Sequence, residues 1–278
     1  MPEVPRALHG RSPRSPRVKT ETIKLGAAER VGAHPAKMHP ALARTLVEDY
    51  SAPDALVLDP FAGCGTTLHA ARACGRKGYG VEIEAGFAGA AAKHGCMVQG
   101  DALALPFASS TFDAVVTSPP YGEAIGRAGD RAPEKTAANK RKYEEARFGK
   151  ALTPHATYGT HPKNIGTLPL SRATDECFTQ VMPKAISEMV RVVKPGGYVV
   201  VVVKDQRLGR QSLGVYDLPG DIVRWGAAAG ALFFGRRFGI IPESSWTLWQ
   251  RVNCARWGHP VPDVEHVIVL KKKGRGKS

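Results

Sequence analysis

Short apolar runs alternate with stretches of helical spacing along most of this chain. Leu56–Leu58 is a short apolar strand that ends at Asp59 and opens into a glycine-rich turn. A helix over roughly Thr67–Cys74 follows, then a strand over Tyr79–Ile83 and an alanine-rich helix from Ala85 to His94. Cys96–Val98 and Phe112–Thr117 are further strand candidates. Over Phe178–Val193, Val181, Ala185, Ile186, Met189, Val190 and Val193 share one side of a helix, which Pro195-Gly196-Gly197 stops. Tyr198–Val203 is a fully apolar run of the kind buried in a parallel sheet. A helix near Ile222–Ala229 and strands over Leu232–Ile241 and Glu265–Leu270 complete the series. Strands alternating with helices predict a three-layer α/β sheet.

Three regions break the rhythm. Residues 1–24 are rich in Pro, Arg and Ser with a charge of +4, which predicts a basic flexible arm, taken as far as residue 31. The last eight residues, 271–278, form a second basic tail without an acidic residue. Residues 122–172 hold few apolar residues and no clear period, and residues 122–163 set nine Arg and Lys against five Asp and Glu. A loop this long inside a domain is usually functional or disordered.

These stretches add to a strong imbalance, since the 278 residues carry a formal net charge of +14. A field of that sign attracts polyanions, nucleic acid above all. Charge alone still leaves open a merely basic housekeeping protein. The five cysteines, Cys64, Cys74, Cys96, Cys177 and Cys254, have no C-x-x-C spacing and read as reduced thiols. The histidines are not paired with carboxylates or cysteines at ligand spacing, so no metal site is expected. The N-terminus lacks the apolar core of a signal peptide, and no apolar stretch is long enough to span a bilayer. A cytoplasmic protein without membrane contact is expected.

Candidate chemistry gathers at strand ends. Asp59-Pro-Phe-Ala-Gly-Cys-Gly-Thr-Thr67 lies where a strand gives way to a helix, the place where open α/β sheets bind ligands. Gly63 and Gly65 allow a sharp turn and a close approach of backbone to ligand, so a side chain at either is expected to occupy the ligand's place. A lone Gly-x-Gly often marks no more than a tight turn. Here Glu82 follows at the end of the next strand, suited to ribose hydroxyls, and Asp101 follows the third strand, suited to an adenine amino group. Each acid alone reads as a solvated loop residue; three strand ends in succession favour a nucleoside pocket. Thr117-Ser118-Pro119-Pro120-Tyr121 follows the fourth strand. Its prolines remove two N–H donors and stiffen the turn, leaving carbonyls to accept, while Ser118 adds a hydroxyl and Tyr121 a flat face. That set suits an amino group held between acceptors, although an ordinary Pro-Pro turn is an equal reading of this motif alone.

Taken together, the two loops resemble those of the amino-group DNA methyltransferases, which act on adenine N6 or cytosine N4. The family's Asp-Pro-Phe-x-Gly-x-Gly-Thr cofactor loop and (Asp/Asn/Ser)-Pro-Pro-Tyr catalytic loop are both intact, and His34-Pro-Ala-Lys-Met38 resembles its cofactor-capping segment. The resemblance covers roughly residues 32–270. It implies a Rossmann-like methyltransferase fold, mostly a parallel seven-stranded sheet with a C-terminal antiparallel strand. S-adenosylmethionine is the implied cofactor. Asp59, Phe61, Gly63, Gly65 and Thr66 would line it, Glu82 would hold its ribose, Asp101 its adenine, and Lys37 would lie near its carboxylate. Ser118, Pro119, Pro120 and Tyr121 would hold the target base. The order of motifs matches the branch whose target-recognition region follows the catalytic loop, which assigns that role to residues 122–172.

The implied reaction is methylation of an exocyclic amine on a flipped base of DNA, double-stranded in preference. Ser118 resembles the cytosine-N4 branch, where Asp is commoner among adenine-N6 enzymes. Cytosine C5 chemistry is disfavoured because no Pro-Cys pair is present. Adenine N6, an RNA base amine and a non-catalytic nucleic-acid-binding protein remain alternatives, and a cognate restriction endonuclease is a possible partner. A small-molecule methyltransferase would not need the basic excess.

Overall fold

The computed structural model describes residues 22–24, 38–120, 161–169, 177–207, 215–240 and 264–274. In chain order the elements are β1 (Thr22–Lys24), α1 (Pro40–Tyr50), β2 (Leu56–Asp59), α2 (Thr66–Ala73), β3 (Lys77–Glu82), α3 (Ala85–Ala91), β4 (Cys96–Gln99) and β5 (Phe112–Thr117). A 3₁₀ turn at Ile165–Thr167 precedes α4 (Phe178–Val192), β6 (Val193–Val203), β7 (Gln206–Arg207), β8 (Val215–Tyr216), α5 (Leu218–Ala228), β9 (Ala231–Ile240) and β10 (Val264–Lys272).

The main sheet has the order β1-β9-β10-β6-β5-β2-β3-β4. Strands β4, β3, β2, β5 and β6 pair in parallel, and β10 runs antiparallel between β6 and β9. Without β1 this is the seven-stranded mixed sheet of the Rossmann-like methyltransferase fold. From β2 the chain winds outward through β3 to β4, then returns to β5 on the other side of β2. The loops leaving β2 and β5 therefore diverge at a topological switch point, where α/β sheets open a crevice.

Side-chain alternation splits the core between the two faces of the sheet. On β6, Val199, Val201 and Val203 join Phe178, Met182, Ile186 and Met189 of α4 on one face. Val200 and Val202 join Leu42, Leu46 and Val47 of α1, with Ala70 and Ala71 of α2, on the other. A strand buried on both sides has no polar alternation to show, as Tyr198–Val203 has none.

Several expectations need correcting. Thr22–Lys24 is not irregular arm: it forms an eighth strand, parallel to Phe238–Ile240 of β9. Helix α1 and the small β7–β8 ribbon were not anticipated. The basic tail begins later than residue 271, because Lys271 and Lys272 belong to β10. The Lys272 ammonium donates to the carbonyls of Val193 and Arg191 at 2.8 and 3.0 Å, and that of Lys271 lies over the rings of Tyr198 and Phe234. Residues 161–169, expected inside an irregular insertion, pack on the core through buried Ile165.

A charged cluster fixes the loop that follows β4. Glu188 of α4 accepts from Leu105 N at 2.8 Å, while Arg191 donates to Glu188 and to the carbonyls of Leu105 and Phe107. The Arg191 hydrogen bond holds the Glu188 carboxyl below its ordinary value, against the opposing effect of burial. With its folded-state value depressed, Glu188 contributes stability above the ordinary carboxyl range and loses it as pH falls through the folded-state value. Glu188→Gln should cost on the order of 1.5 kcal/mol at neutral pH, the low end for hydrogen bonds to a charged group. Urea unfolding across the acid range should show the gap to wild type closing on acidification; a constant gap would sink this account.

Candidate cofactor and base-binding site

Asp59 is the last residue of β2 and its carboxyl is buried. Its Oδ1 accepts from Phe61 N at 3.0 Å and from the Thr117 hydroxyl at 2.6 Å. Burial pushes its carboxyl up from the ordinary range, and the hydrogen bonds work in the opposite direction. The carboxylate thus ties the start of the glycine loop to the end of β5, immediately before Ser118. The loop's next anchors are Ala62 N on Val81 O at 3.0 Å and Gly63 N on Glu82 Oε2 at 2.8 Å.

Gly63 and Gly65 have φ of 51° and 87°, in the left-handed region that suits glycine. Gly65 is the N-cap of α2, and Thr66 and Thr67 begin the helix as buried residues. A Cβ at Gly65 would stand 3.0 Å from Ala91 Cβ and 3.3 Å from His94 Cδ2. The packing of α3 adds a second reason for that glycine beside its turn, so a side chain there presses on the fold itself.

Glu82 ends β3 with 9% of its surface accessible. Its Oε2 takes Gly63 N and its Oε1 takes Glu84 N at 3.0 Å. Burial pushes its carboxyl up, partly offset by the N–H groups of Glu84 and Gly63. Gly100 N donates to Glu82 O at 3.0 Å, bringing the end of β4 alongside, and Asp101 Oδ1 takes Leu103 N at 2.8 Å in the turn that follows. Asp59, Glu82 and Asp101 therefore stand at the carboxyl ends of three successive neighbouring strands, β2, β3 and β4.

The catalytic loop leaves β5 on the other side of β2. Ser118 is half-buried, and Pro119 and Pro120 are buried. Lys37 and Tyr121 lie outside the described residues.

Two participants in this arrangement escaped sequence reasoning. Thr117 had a signal, being a buried polar residue directly after the apolar run Ala114–Val116. Glu84 had none: its Oε1 accepts from His161 N and Asn164 Nδ2, both at 2.8 Å, across 77 and 80 residues of chain. A separate cleft lined by Arg72, Arg76, Lys77, Lys93 and His94 opens at the amino ends of β3 and β4, away from this chemistry. The charges there suit the carboxyl ends of α2 and α3. Among the described residues no group of three or more His, Cys, Asp or Glu is placed to hold a metal ion, and no disulfide joins two of the described cysteines. No described helix is long and apolar enough to cross a membrane.

The glycine argument is testable by comparison with Gly75, which has φ of 69° but nothing within 4 Å of a built Cβ. Alanine at either site meets the left-handed strain, roughly 1–3 kcal/mol. Only Gly65→Ala adds the contact with Ala91, so it should lose clearly more stability than Gly75→Ala in thermal or urea unfolding. Equal losses would remove the packing role.

Comparison with known proteins adds the following. Structures with similar coordinates include the [4+2]-cyclase SpnF, at 17% identity over 91% of this chain and 88% of that one, with a TM-score of 0.48. A SAM-dependent methyltransferase from Methanosarcina mazei has 14% identity over 83% and 98% of the two chains, TM-score 0.48. A TehB-like SAM-dependent methyltransferase from Corynebacterium glutamicum has 13% identity over 83% and 86%, TM-score 0.43. The strand order, not these overlaps, carries the fold assignment. No curated protein matches the chain. Residues 11–93 match the N6/N4 methyltransferase family model, described as DNA methylase. That stretch holds the glycine loop and Glu82 and leaves out the Ser118-Pro119-Pro120 loop.

Proposed function

We propose that this protein is an S-adenosylmethionine-dependent DNA methyltransferase that methylates the exocyclic N4 amine of cytosine in a specific DNA sequence. The observation that supports this most is the 2.6 Å hydrogen bond from Thr117 to Asp59. It holds the Ser118-Pro119-Pro120 turn against the glycine loop that the DNA methylase family model matches.

The residues present fit the cofactor. A buried glutamate at one strand end, a glycine loop with two left-handed residues beside it and an aspartate at the next strand end make a nucleoside-shaped set of acceptors. Asp59, Phe61, Gly63, Gly65 and Thr66 would border S-adenosylmethionine, Glu82 would accept from its ribose hydroxyls, Asp101 from its adenine amine, and Lys37 would face its carboxylate. When bound, that cofactor supplies a methyl group on a positively charged sulfur.

The remaining work belongs to the catalytic loop. An exocyclic amine is a poor nucleophile because its lone pair is conjugated with the ring. Hydrogen bonds from the amine to the Ser118 hydroxyl and the Pro119 carbonyl favour a pyramidal nitrogen and expose that lone pair. Pro119 and Pro120 offer no competing N–H, and Tyr121 stacks on the ring. A dry site and in-line placement do the rest; the extra proton leaves after transfer, so no general base is assigned. In duplex DNA the base must first be flipped out, at a few kcal/mol.

The basic residues of 122–163, with those of the N-terminal arm and of the chain beyond Lys272, are the proposed phosphate contacts, and 122–172 the proposed target-recognition region. Ser118 favours cytosine by resemblance. Adenine N6 and an RNA amine are outcomes that the product test separates.

Incubation with labelled cofactor, digestion to nucleosides and mass analysis should give N4-methylcytosine. N6-methyladenine would sink the base assignment, and modified RNA beside untouched DNA would overturn the substrate class. Tyr121→Ala should weaken catalysis by about 1–3 kcal/mol, the range for base–aromatic stacking, with cofactor affinity kept.

If the basic segments contact phosphates, log K for duplex DNA should also fall steeply and linearly with log salt. A flat dependence would give the charge another purpose.

A further inference from the structure

At the amino ends of β3 and β4, on the sheet edge opposite the glycine and catalytic loops, lies a cleft of about 380 Å³. Its charged lining is entirely basic: Arg72, Arg76, Lys77, Lys93 and His94. Arg76 is held by the hydroxyl and carbonyl of Ser51, at 3.3 and 2.7 Å, and by the carbonyl of Cys74. Those partners are neutral. Among the described residues no carboxylate pairs with Arg72, Arg76, Lys77 or Lys93, whereas Arg44, Arg191, Lys194, Arg224 and Arg237 each have one. Glu48 senses Arg76 but is bonded to Arg44 and Cys74. His94 reports the resulting field: burial pushes its imidazole below the ordinary value, and His69, Lys93 and Arg72 push the same way.

The neighbouring helix ends do not absorb this charge. The carboxyl ends of α2 and α3 each offer about half a negative charge, about one between them, against four cationic side chains. A surplus of about three positive charges therefore faces one concavity. Two terminal phosphates, at about −1.5 to −2 each, match that surplus, as do about three phosphodiester groups. The planar fork of Arg72 suits their oxygens.

We propose that this cleft is a phosphate-binding site, separate from the proposed methyl-transfer site, for a ligand that carries at least two phosphate groups. Strand β3 lies between the two: Lys77 begins it and Glu82 ends it, roughly 17 Å apart at about 3.3 Å per residue. A ligand on the glycine loop therefore leaves the cleft open. The site does not depend on which base, if any, the chain methylates. Its phosphates belong to a free polyphosphate or to a nucleic-acid backbone, two sources of the same chemistry.

The probe is pyrophosphate, titrated into the full chain at low ionic strength, where exposed charge is least screened. The ring NMR signals of His94 should shift and its titration should move up, because a bound anion offsets the push of Lys93 and Arg72. By calorimetry the Kd should weaken about tenfold or more in the double variant Arg72→Gln, Lys93→Gln, the loss expected for one or two charge-assisted hydrogen bonds. Both residues are exposed, and thermal melts check that the variant is folded. Lys184→Gln with Arg224→Gln removes the same charge from α4 and α5 and should leave the Kd within about twofold. Unmoved His94 signals, an unchanged Kd in the cleft variant or equal weakening in the control each overturn the proposal. A mixed-sequence DNA duplex then identifies the source: displacement of pyrophosphate from the cleft assigns it to nucleic acid, and pyrophosphate that stays bound assigns it to a free polyphosphate.

Discussion

The hydroxyl of Thr117 and the carboxylate of Asp59 meet at 2.6 Å where β5 and β2 end side by side, and the site is organised around that contact. The two loops that leave these strands diverge, so the sheet alone does not hold them in a common geometry. A buried carboxylate would be costly without donors, and its own desolvation raises its affinity for a proton. Thr117 and Phe61 N offset that cost while fixing both loops to one oxygen. The methyl transfer proposed for this site needs donor and acceptor in line, and this bond ties together the two loops that would hold them.

Carboxylates continue the same scheme outward. Glu82 bridges the glycine loop and the N-cap of α3, and Glu84 bridges that cap and the segment returning at His161. In a chain with a formal net charge of +14, Glu82 turns both carboxylate oxygens to backbone N–H groups, and Glu84 accepts from one backbone N–H and one side-chain amide. The wall of the proposed cofactor site is built from the same residues that would read the cofactor.

Features whose partners are near in sequence, or whose chemistry demands a local motif, are legible in the sequence. Both loops, the acidic strand ends and the apolar run Tyr198–Val203 of β6 fall in this group. Helix α1 is legible too, since Leu42, Ala43, Leu46 and Val47 recur at helical spacing after Pro40. What could not be read rests on contacts far along the chain. Thr22–Lys24 becomes a strand only because β9 offers an edge, some two hundred residues on. Lys271 and Lys272 look like solvated charge until the carbonyls of Arg191 and Val193 and the rings of Tyr198 and Phe234 are beside them. Polar residues of 161–169 are held by Glu84, and no local pattern announces a bond spanning 80 residues.

The position of β10 sets the order in which the molecule can assemble on the ribosome. Strands β2 to β6 can pair as they emerge, but β9 has no place beside them until residues 264–272 arrive to lie between β6 and β9. Until then the nascent chain presents the valine-rich edge of β6 unpaired, an invitation to strand addition by other chains. When β10 inserts, that edge closes, and β9 joins the sheet through β10 with β1 on its outer side.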